Sequence, residues 1–176
     1  FLMSEISNLL NLQSKLKDKK IDLLIVNRSD EFLNEYISPY AERLQFITNF
    51  SGSAGKAIVL QNEAYLYVDG RYTFQAKEQI NENEIQSKHL KSFWEDLKTY
   101  ISKKSCTIAV DPKLHSIREI QKIQEYILNT SSNIIFLESN IIDSIWKNKP
   151  SIKYSNIFDH PIQYSGVDRV EKLINF

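Results

Sequence analysis

Apolar and polar positions along the chain follow two periods in turn, which predicts helices alternating with strands. In the segment MSEISNLLNLQSKLKDKK the apolar side chains fall near one helical face, namely Ile6, Leu9, Leu10 and Leu16. The run Ile21 to Val26 is almost continuously apolar, as is typical of a strand covered on both faces. The pattern therefore predicts a helix that leads into a buried strand.

Two β-rich runs come next. KAIVL and AYLYV are separated by three polar residues, Gln61, Asn62 and Glu63. Two such runs joined by a short polar segment predict an antiparallel hairpin. The following segment, RYTFQAKEQI, returns to a helical pattern.

Two capping boxes predict two further helices. Ser92 with Glu95 would open a helix whose apolar face is Phe93, Leu97, Tyr100 and Ile101, and Ser116 with Glu119 one whose face is Ile117, Ile120 and Ile123. Each helix precedes an apolar strand, CTIAVD after the first and NIIFLE after the second. We expect Tyr65 or Leu66 and the run from Ile108 to Val110 to lie in the core.

This alternation predicts an α/β fold in which a layered, mixed β-sheet is flanked by helices. The regular pattern ends near Glu138, and we assign residues 1–146 to this domain. Residues 147–164 contain two prolines and little periodicity, which suits a linker. A third capping box, Ser165 with Asp168, predicts a helix over 165–176 that we expect to begin a second domain.

Charge and cysteine content narrow the classes of partner. The 22 basic and 22 acidic side chains cancel, so the chain has no broad positive field to attract nucleic acid or an anionic membrane. It has no apolar run of the roughly 18 residues that a membrane span needs and no signal-like start. Cys106, the only cysteine, lies in an apolar run and is expected to be a buried thiol in a reducing compartment. These features predict a cytoplasmic protein.

Three of the four glycines lie in one stretch, FSGSAGKAIVLQNEAYLYVDGRY, at Gly52, Gly55 and Gly70. Glycines in SGSAGK allow positive φ and close backbone approach, and such a loop can cradle a phosphate. Here a strand follows the glycines instead of a helix N-terminus. A tight turn that delivers the chain into the hairpin is the simpler interpretation.

The segment Asp69-Gly70-Arg71 lies where the strand AYLYV ends and a helix begins. Asp69 could cap that helix or pair with Arg71, which would make the segment a purely structural turn. Arg71 also carries a planar, permanently charged fork that can hold a carboxylate or a peptide carbonyl. Arg71 is the best candidate for a binding residue in the chain.

The chain offers no catalytic or metal-ligating set of its own. His89, His115 and His160 are far apart and fit no metal-binding spacing. The serines of SGSAG do not form a nucleophile elbow. Asp111, which precedes Pro112, is interpreted as a strand-to-helix corner.

The stretch from Arg43 to Ala76 resembles the N-terminal domain of the creatinase/prolidase family, most closely that of its three-domain Xaa-Pro aminopeptidases. That family has a Gly-Phe-x-Gly-Ser-Ala-Gly segment followed by Thr-Asp-Gly-Arg-Tyr, with Gln-Ala three residues on. The matching residues here are Phe50, Gly52, Ser53, Ala54, Gly55, Asp69, Gly70, Arg71, Tyr72, Gln75 and Ala76.

The likeness extends over nearly the whole chain. VDP, NIIDSIWKNKP and YSGVDRVEKL are similar to a Val-Asp-Pro segment, an Asn-Leu-Val-Asp-x-Ile-Trp segment and the entry to the family's second domain. Asn49 stands where the family usually has glycine, and Tyr67 and Val68 replace a Trp-Thr pair. The first departure bears only on the local turn.

The resemblance implies a role in hydrolysis of the bond between an N-terminal residue and a following proline. The family uses two divalent metal ions, usually manganese, held by Asp, His and Glu ligands of a separate C-terminal domain, and this chain lacks that ligand set. By the same resemblance, Arg71 is a peptide-contacting residue that reaches a cleft formed with another domain or subunit. The resemblance further implies proline-containing peptides as partners, the chain's own C-terminal catalytic domain, and a homodimeric full-length protein.

Two alternatives share this domain. Prolidases and creatinases are nearer relatives, whereas histone-chaperone subunits carry the same fold with a dead metal site. The three-domain linker favours the Xaa-Pro aminopeptidases over the first alternative, and the neutral charge and close motif match argue against the second.

Overall fold

A computed structural model describes residues 7–176 as a six-stranded sheet between two layers of helices. The strands are β1 (Leu23–Asn27), β2 (Gly55–Leu60), β3 (Ala64–Val68), β4 (Gln86–His89), β5 (Thr107–Val110) and β6 (Asn133–Phe136). The helices are α1 (Asn8–Asp18), α2 (Arg43–Thr48), α3 (Thr73–Gln79), α4 (Phe93–Lys103), α5 (Ile117–Ile127), α6 (Ile141–Ile145), α7 (Ile162–Ser165) and α8 (Arg169–Ile174). Short 3₁₀ turns cover Pro39–Ala41, Gly70–Tyr72, Leu90–Ser92 and Pro112–Leu114.

The strand order is β4-β3-β2-β1-β5-β6. β2 runs antiparallel to both of its neighbours, β1 and β3, whereas the other three pairs are parallel. The predicted α/β fold with a mixed sheet and flanking helices is confirmed.

A hydrophobic core lies on each face of the sheet. Successive side chains of a strand point to opposite faces, so in β1 Leu24 and Val26 join the core beneath α1, α2, α3 and α6. Leu23 and Ile25 join the core beneath α4 and α5. Burial on both faces is the reason that this strand is almost entirely apolar. Among the predicted core residues, Leu66 and the run Ile108–Val110 are fully buried, and Tyr65 is half-buried.

The first helix is confirmed, but its buried face differs from the prediction by one position. Leu9, Leu12 and Leu16 are buried, whereas Leu10 is 45% exposed. Leu12 belongs to the stripe because residues three and four apart share a helical face. Ile6, which was assigned to the same stripe, lies outside the described residues.

The predicted hairpin is confirmed. Its strands pair from Gly55 opposite Val68 to Val59 opposite Ala64. At the connection, the Leu60 amide donates to the Glu63 carbonyl at 2.8 Å. The register places the glycine-containing loop and the Asp69 turn at the same end of the hairpin.

Of the three predicted capping boxes, one is confirmed and two are wrong. Ser116 and Glu119 form both reciprocal bonds at the start of α5, as predicted, although Ile117 on the expected apolar face is 79% exposed. The box at Ser92 is wrong: α4 is entered through a 3₁₀ turn, so Ser92 already has helical backbone angles and its hydroxyl donates to the His89 carbonyl. The box at Ser165 is also wrong, because Ser165 ends α7 and Asp168 caps α8 alone.

Within residues 7–146, one strand and two short helices were not predicted. β4 is a polar edge strand of sequence QSKH, so no apolar alternation marks it. Helices α2 and α6 are too short for a helical period to stand out. The isoleucines of α6 nevertheless complete the core beneath α1, beyond the point near Glu138 at which the regular pattern ends.

The C-terminal segment carries two short helices, α7 and α8, and its residues from 151 onward are almost all exposed. α7 falls at the end of the segment 147–164 assigned to a linker. The division into domain, linker and start of a second domain stays a prediction. No helix in the described range 7–176 is long and apolar enough to cross a membrane.

Cys106 provides a test of the packing beneath α4. Its side chain is 1% exposed, the thiol contacts the Tyr100 carbonyl at 3.7 Å, and burial raises the pKa of the thiol. Because only the exposed thiolate reacts, we expect a maleimide reagent to label the native protein at least about a hundredfold more slowly than the protein in denaturant. Equal rates in the two conditions would contradict the burial of Cys106, the residue that precedes β5.

Candidate functional site

Arg71 lies in the 3₁₀ turn Gly70–Tyr72, between the end of β3 and the start of α3. Its side chain is 73% exposed. β3 is held between β2 and β4, so the turn emerges from a fixed point of the sheet. The sheet therefore fixes the backbone position of Arg71, and the charged group of its side chain is accessible.

Both structural roles that the sequence allowed for Asp69 are present. Asp69 Oδ1 accepts from the backbone amide of Arg71 at 3.0 Å, which caps the turn. The same oxygen accepts from Arg71 Nε at 2.9 Å. The two Nη groups of Arg71 form no hydrogen bond with any residue in the described part of the chain, so the outer edge of the guanidinium is available to a ligand.

The electrostatics of the turn keep both groups ionised. Hydrogen bonds from Arg71 hold the pKa of the Asp69 carboxyl below its usual value. The Asp69 carboxylate in turn raises the pKa of Arg71. The guanidinium Cζ also lies 5.5 Å from the centre of the Tyr72 ring. Arg71 is therefore a permanent cation whose guanidinium contacts Asp69 and lies near the Tyr72 ring.

The glycine-containing loop lies against this turn, and its glycines make room for an aromatic ring. A Cβ added at Gly52 would be 2.2 Å from Phe50 Cζ, and one added at Gly55 would be 3.0 Å from Phe50 Cε1. Phe50 is fully buried. Positive φ is not the reason for these glycines, since Gly166 is the only glycine of residues 7–176 with positive φ. In a phosphate-binding loop the space beside the glycines would be open to the ligand, whereas here the Phe50 ring fills it.

Asn49 explains a departure from the family pattern. It ends α2 in the left-handed conformation, with φ of 64°. Glycine adopts that conformation most readily and asparagine is among the few other residues that tolerate it. The turn is therefore retained without the glycine.

Tyr72 joins the glycine-containing loop to the Arg71 turn. Its phenol oxygen lies 2.6 Å from Ser53 Oγ, and its ring meets Phe50 edge to face with the centroids 5.8 Å apart. The hydrogen bond with Ser53 lowers the pKa of Tyr72, and the positive charges of Arg71 and Arg28 act in the same direction.

Arg28 is a second arginine at this site, and sequence reasoning missed it. It follows β1 directly, and Nη1 donates to the Ser53 carbonyl at 3.3 Å while Nη2 donates to Glu42 at 2.7 Å. A charged residue immediately after a buried strand was the only available signal.

The remaining candidates are dispersed. His89 lies beside Gly70, with Nε2 3.4 Å from the position of an added Cβ, whereas His115 is buried and bonds to the Asp111 carbonyl, and His160 is exposed. Asp111 caps the turn after β5, as predicted, through the Lys113 amide. Over residues 7–176, no group of three or more His, Cys, Asp or Glu side chains could hold a metal ion.

The model of the creatinase/prolidase N-terminal domain matches residues 9–141 of the chain. Curated relatives include two proteins named "Probable Xaa-Pro aminopeptidase P". The one from Aspergillus niger is 32% identical over 94% of this chain and 28% of its own length, and the one from Paracoccidioides lutzii is 32% identical over 92% and 27%. The chain thus spans little more than a quarter of the length of these relatives.

Solved structures share the fold. An X-prolyl aminopeptidase from Caenorhabditis elegans, described as a cytosolic enzyme with a di-nuclear active site, superposes with a TM-score of 0.80 at 20% identity. The match covers 98% of this chain and 30% of that one. The N-terminal domain of the cytoplasmic peptidase PepQ from Mycobacterium tuberculosis superposes with a TM-score of 0.58 at 16% identity, over 78% and 97% of the two chains.

The layered mixed sheet, with the Arg71 turn at one end of its hairpin, defines an α/β domain of the type that these peptidases carry. The chain belongs to the creatinase/prolidase N-terminal domain family.

Proposed function

We propose that this chain is the non-catalytic, substrate-gating and assembly domain of a metal-dependent Xaa-Pro aminopeptidase, in which Arg71 contacts the peptide substrate. The observation that carries the proposal is the preorganised, exposed guanidinium of Arg71 within a domain whose curated relatives are named Xaa-Pro aminopeptidase P. The domain closes over short peptides and excludes folded chains from the cleft.

The geometry of Arg71 supports peptide recognition. Asp69 takes Nε, which leaves the Nη groups to donate to a peptide carbonyl or carboxylate. Phe74, three residues further along the chain, is 85% exposed and offers an apolar surface. A proline-containing peptide presents both chemistries, since its carbonyl groups accept hydrogen bonds and its proline ring is apolar.

Catalysis belongs to a separate C-terminal domain in this proposal. That domain supplies the ligands for two divalent metal ions, expected to be manganese, which activate a water molecule and polarise the scissile carbonyl. The side chains of residues 7–176 do not fit such a centre, because no cluster of ligands converges there. The full-length enzyme is expected to be a cytoplasmic homodimer.

The proposal predicts a strict division of labour. The purified chain should release no N-terminal residue from a bradykinin-like Xaa-Pro peptide even with added manganese, because the metal ligands lie outside it. The full-length enzyme should release that residue, lose activity on chelation and regain it with manganese. Release of the residue is measured by mass spectrometry.

Two outcomes would contradict the proposal. Metal-dependent release by the purified chain would assign catalysis to this domain. Activity of the full-length enzyme that survives chelation would remove the metal-dependent mechanism.

A further inference from the structure

The side chain of Arg28 ties together three segments around the Arg71 turn. It is only 9% exposed. Nη1 donates to the Glu35 carbonyl at 2.9 Å and to the Ser53 carbonyl at 3.3 Å, and Nη2 donates to the Glu42 carboxylate at 2.7 Å. A single guanidinium thus links the segment after β1, the glycine-containing loop and the start of α2.

A short path leads from Arg28 to Arg71. Ser53, whose carbonyl accepts from Arg28, places its hydroxyl 2.6 Å from the phenol oxygen of Tyr72. The Tyr72 amide donates to the Asp69 carbonyl at 2.9 Å and so closes the turn. Arg71 lies between those two residues, and its guanidinium Cζ is 5.5 Å from the centre of the Tyr72 ring.

The Arg28–Glu42 pair is not arranged for maximal stability. Arg28 Nε and Glu42 Oε2 are buried without a hydrogen-bond partner among the described residues. Burial raises the pKa of Glu42 in spite of the neighbouring Arg28. Buried ion pairs can often be replaced by apolar residues at little cost, so the stability of the fold gives no strong reason for this pair.

We infer that Arg28 is a positioning residue for Arg71: by fixing the Ser53 carbonyl, it holds Tyr72 and thereby the turn that presents the Arg71 guanidinium to the substrate. This inference rests on the proposed function, in which Arg71 contacts the peptide. Arg28 itself is buried behind the turn and does not touch the substrate.

The test uses a paired substitution and a matched control. Arg28→Met with Glu42→Leu removes both charges together, so that neither remains buried and unpaired. The control is Arg43→Met with Asp143→Leu, since Arg43 has the same 9% side-chain exposure and also pairs with a carboxylate. Arg43 bonds to α6 and not to the Arg71 turn.

The kinetic arm is a double-mutant cycle in the full-length enzyme. The double substitution Arg28→Met and Glu42→Leu should lower kcat/KM for a short Xaa-Pro peptide about tenfold. A small displacement of Arg71, the group that contacts the substrate, is enough to reduce the rate on this scale. The same pair should change kcat/KM less than about twofold when Arg71 is already alanine. The control pair should leave kcat/KM unchanged in both backgrounds.

The second arm needs no activity. Amide hydrogen exchange of Tyr72 in this chain should become roughly tenfold faster in the Arg28/Glu42 variant and stay unchanged in the control. Unchanged exchange, or equal losses of kcat/KM with and without Arg71, would overturn the positioning role. If Arg71→Ala alone leaves kcat/KM unchanged, the proposed function fails instead, and the exchange arm still decides whether Arg28 orders the turn.

Discussion

Replacing Arg71 with alanine in the full-length enzyme is expected to lower kcat/KM for short Xaa-Pro peptides by roughly one to two orders of magnitude. That is the scale for losing a charge-assisted hydrogen bond of about 1.5–3 kcal/mol. Lysine should restore only part of the activity, because an ammonium group cannot bond to Asp69 and to a peptide in the planar arrangement of a guanidinium.

Stability should change little in the same variant. The Asp69–Arg71 pair is largely exposed, and solvent screening leaves such pairs little influence on stability. The matched control is Arg118→Ala, an exposed arginine on α5, which packs on the opposite face of the sheet. Tm and kcat/KM are measured on one preparation of each variant. A lowered Tm with unchanged kinetics would show that Arg71 only holds the turn.

The second large effect is a loss of stability, expected when the ion pair between α2 and α6 is broken. Arg43 Nε and Nη2 donate to the two carboxylate oxygens of Asp143 at 2.8 and 2.9 Å, and Lys149 donates to the same carboxylate at 2.7 Å. Asp143→Ala leaves the buried Arg43 without its acceptor. We expect the free energy of unfolding at pH 7 to fall by about 3 kcal/mol, the scale for breaking a buried pair.

The loss should depend on pH with a defined sign. Burial raises the pKa of Asp143, but the hydrogen bonds from Arg43 and Lys149 outweigh it, so the pKa in the folded state is below the usual value. The pair therefore stabilises the fold above the unfolded pKa, near 3.9, and this stabilisation disappears as the pH falls through the folded pKa. Urea unfolding at pH 7 and at pH 3 measures the free energy of unfolding above and below the unfolded pKa, and the difference between wild type and Asp143→Ala should be smaller at pH 3.

Asp159→Ala is the control, because Asp159 is an exposed aspartate of the C-terminal segment. It should leave the free energy of unfolding unchanged at both pH values. A difference between wild type and Asp143→Ala that is as large at pH 3 as at pH 7 would show that lost packing, not the ion pair, causes the effect.

Local sequence patterns predicted much of the fold. Two β-rich runs separated by three polar residues identified the hairpin of β2 and β3, and the Ser116 capping box located the start of α5. The contact between Asp69 and Arg71 was foreseen because the two residues are only two positions apart, whereas the role of Arg71 in binding stays a prediction. Strand β4 was not predicted, because its residues are polar and adopt strand geometry only through pairing with β3.

The glycines show where local reasoning reaches its limit. The sequence indicated that Gly52 and Gly55 matter, and close approach was one of the two reasons considered. Only the packed structure shows that a buried ring, Phe50, fills the space beside them. The backbone angles open to a glycine depend on that residue alone. The space beside it depends on every side chain that packs there, including side chains distant in the sequence.

The sequence by itself determined the alternating elements, the family resemblance and the arginine of the turn, because period, caps and motifs act between residues close along the chain. The tertiary structure alone decided which distant polar groups meet. Arg28 reaches residues 7, 14 and 25 positions away, and Arg43 pairs with a carboxylate 100 positions away. Such pairings follow from which elements pack side by side on the sheet, and no local pattern encodes that distance.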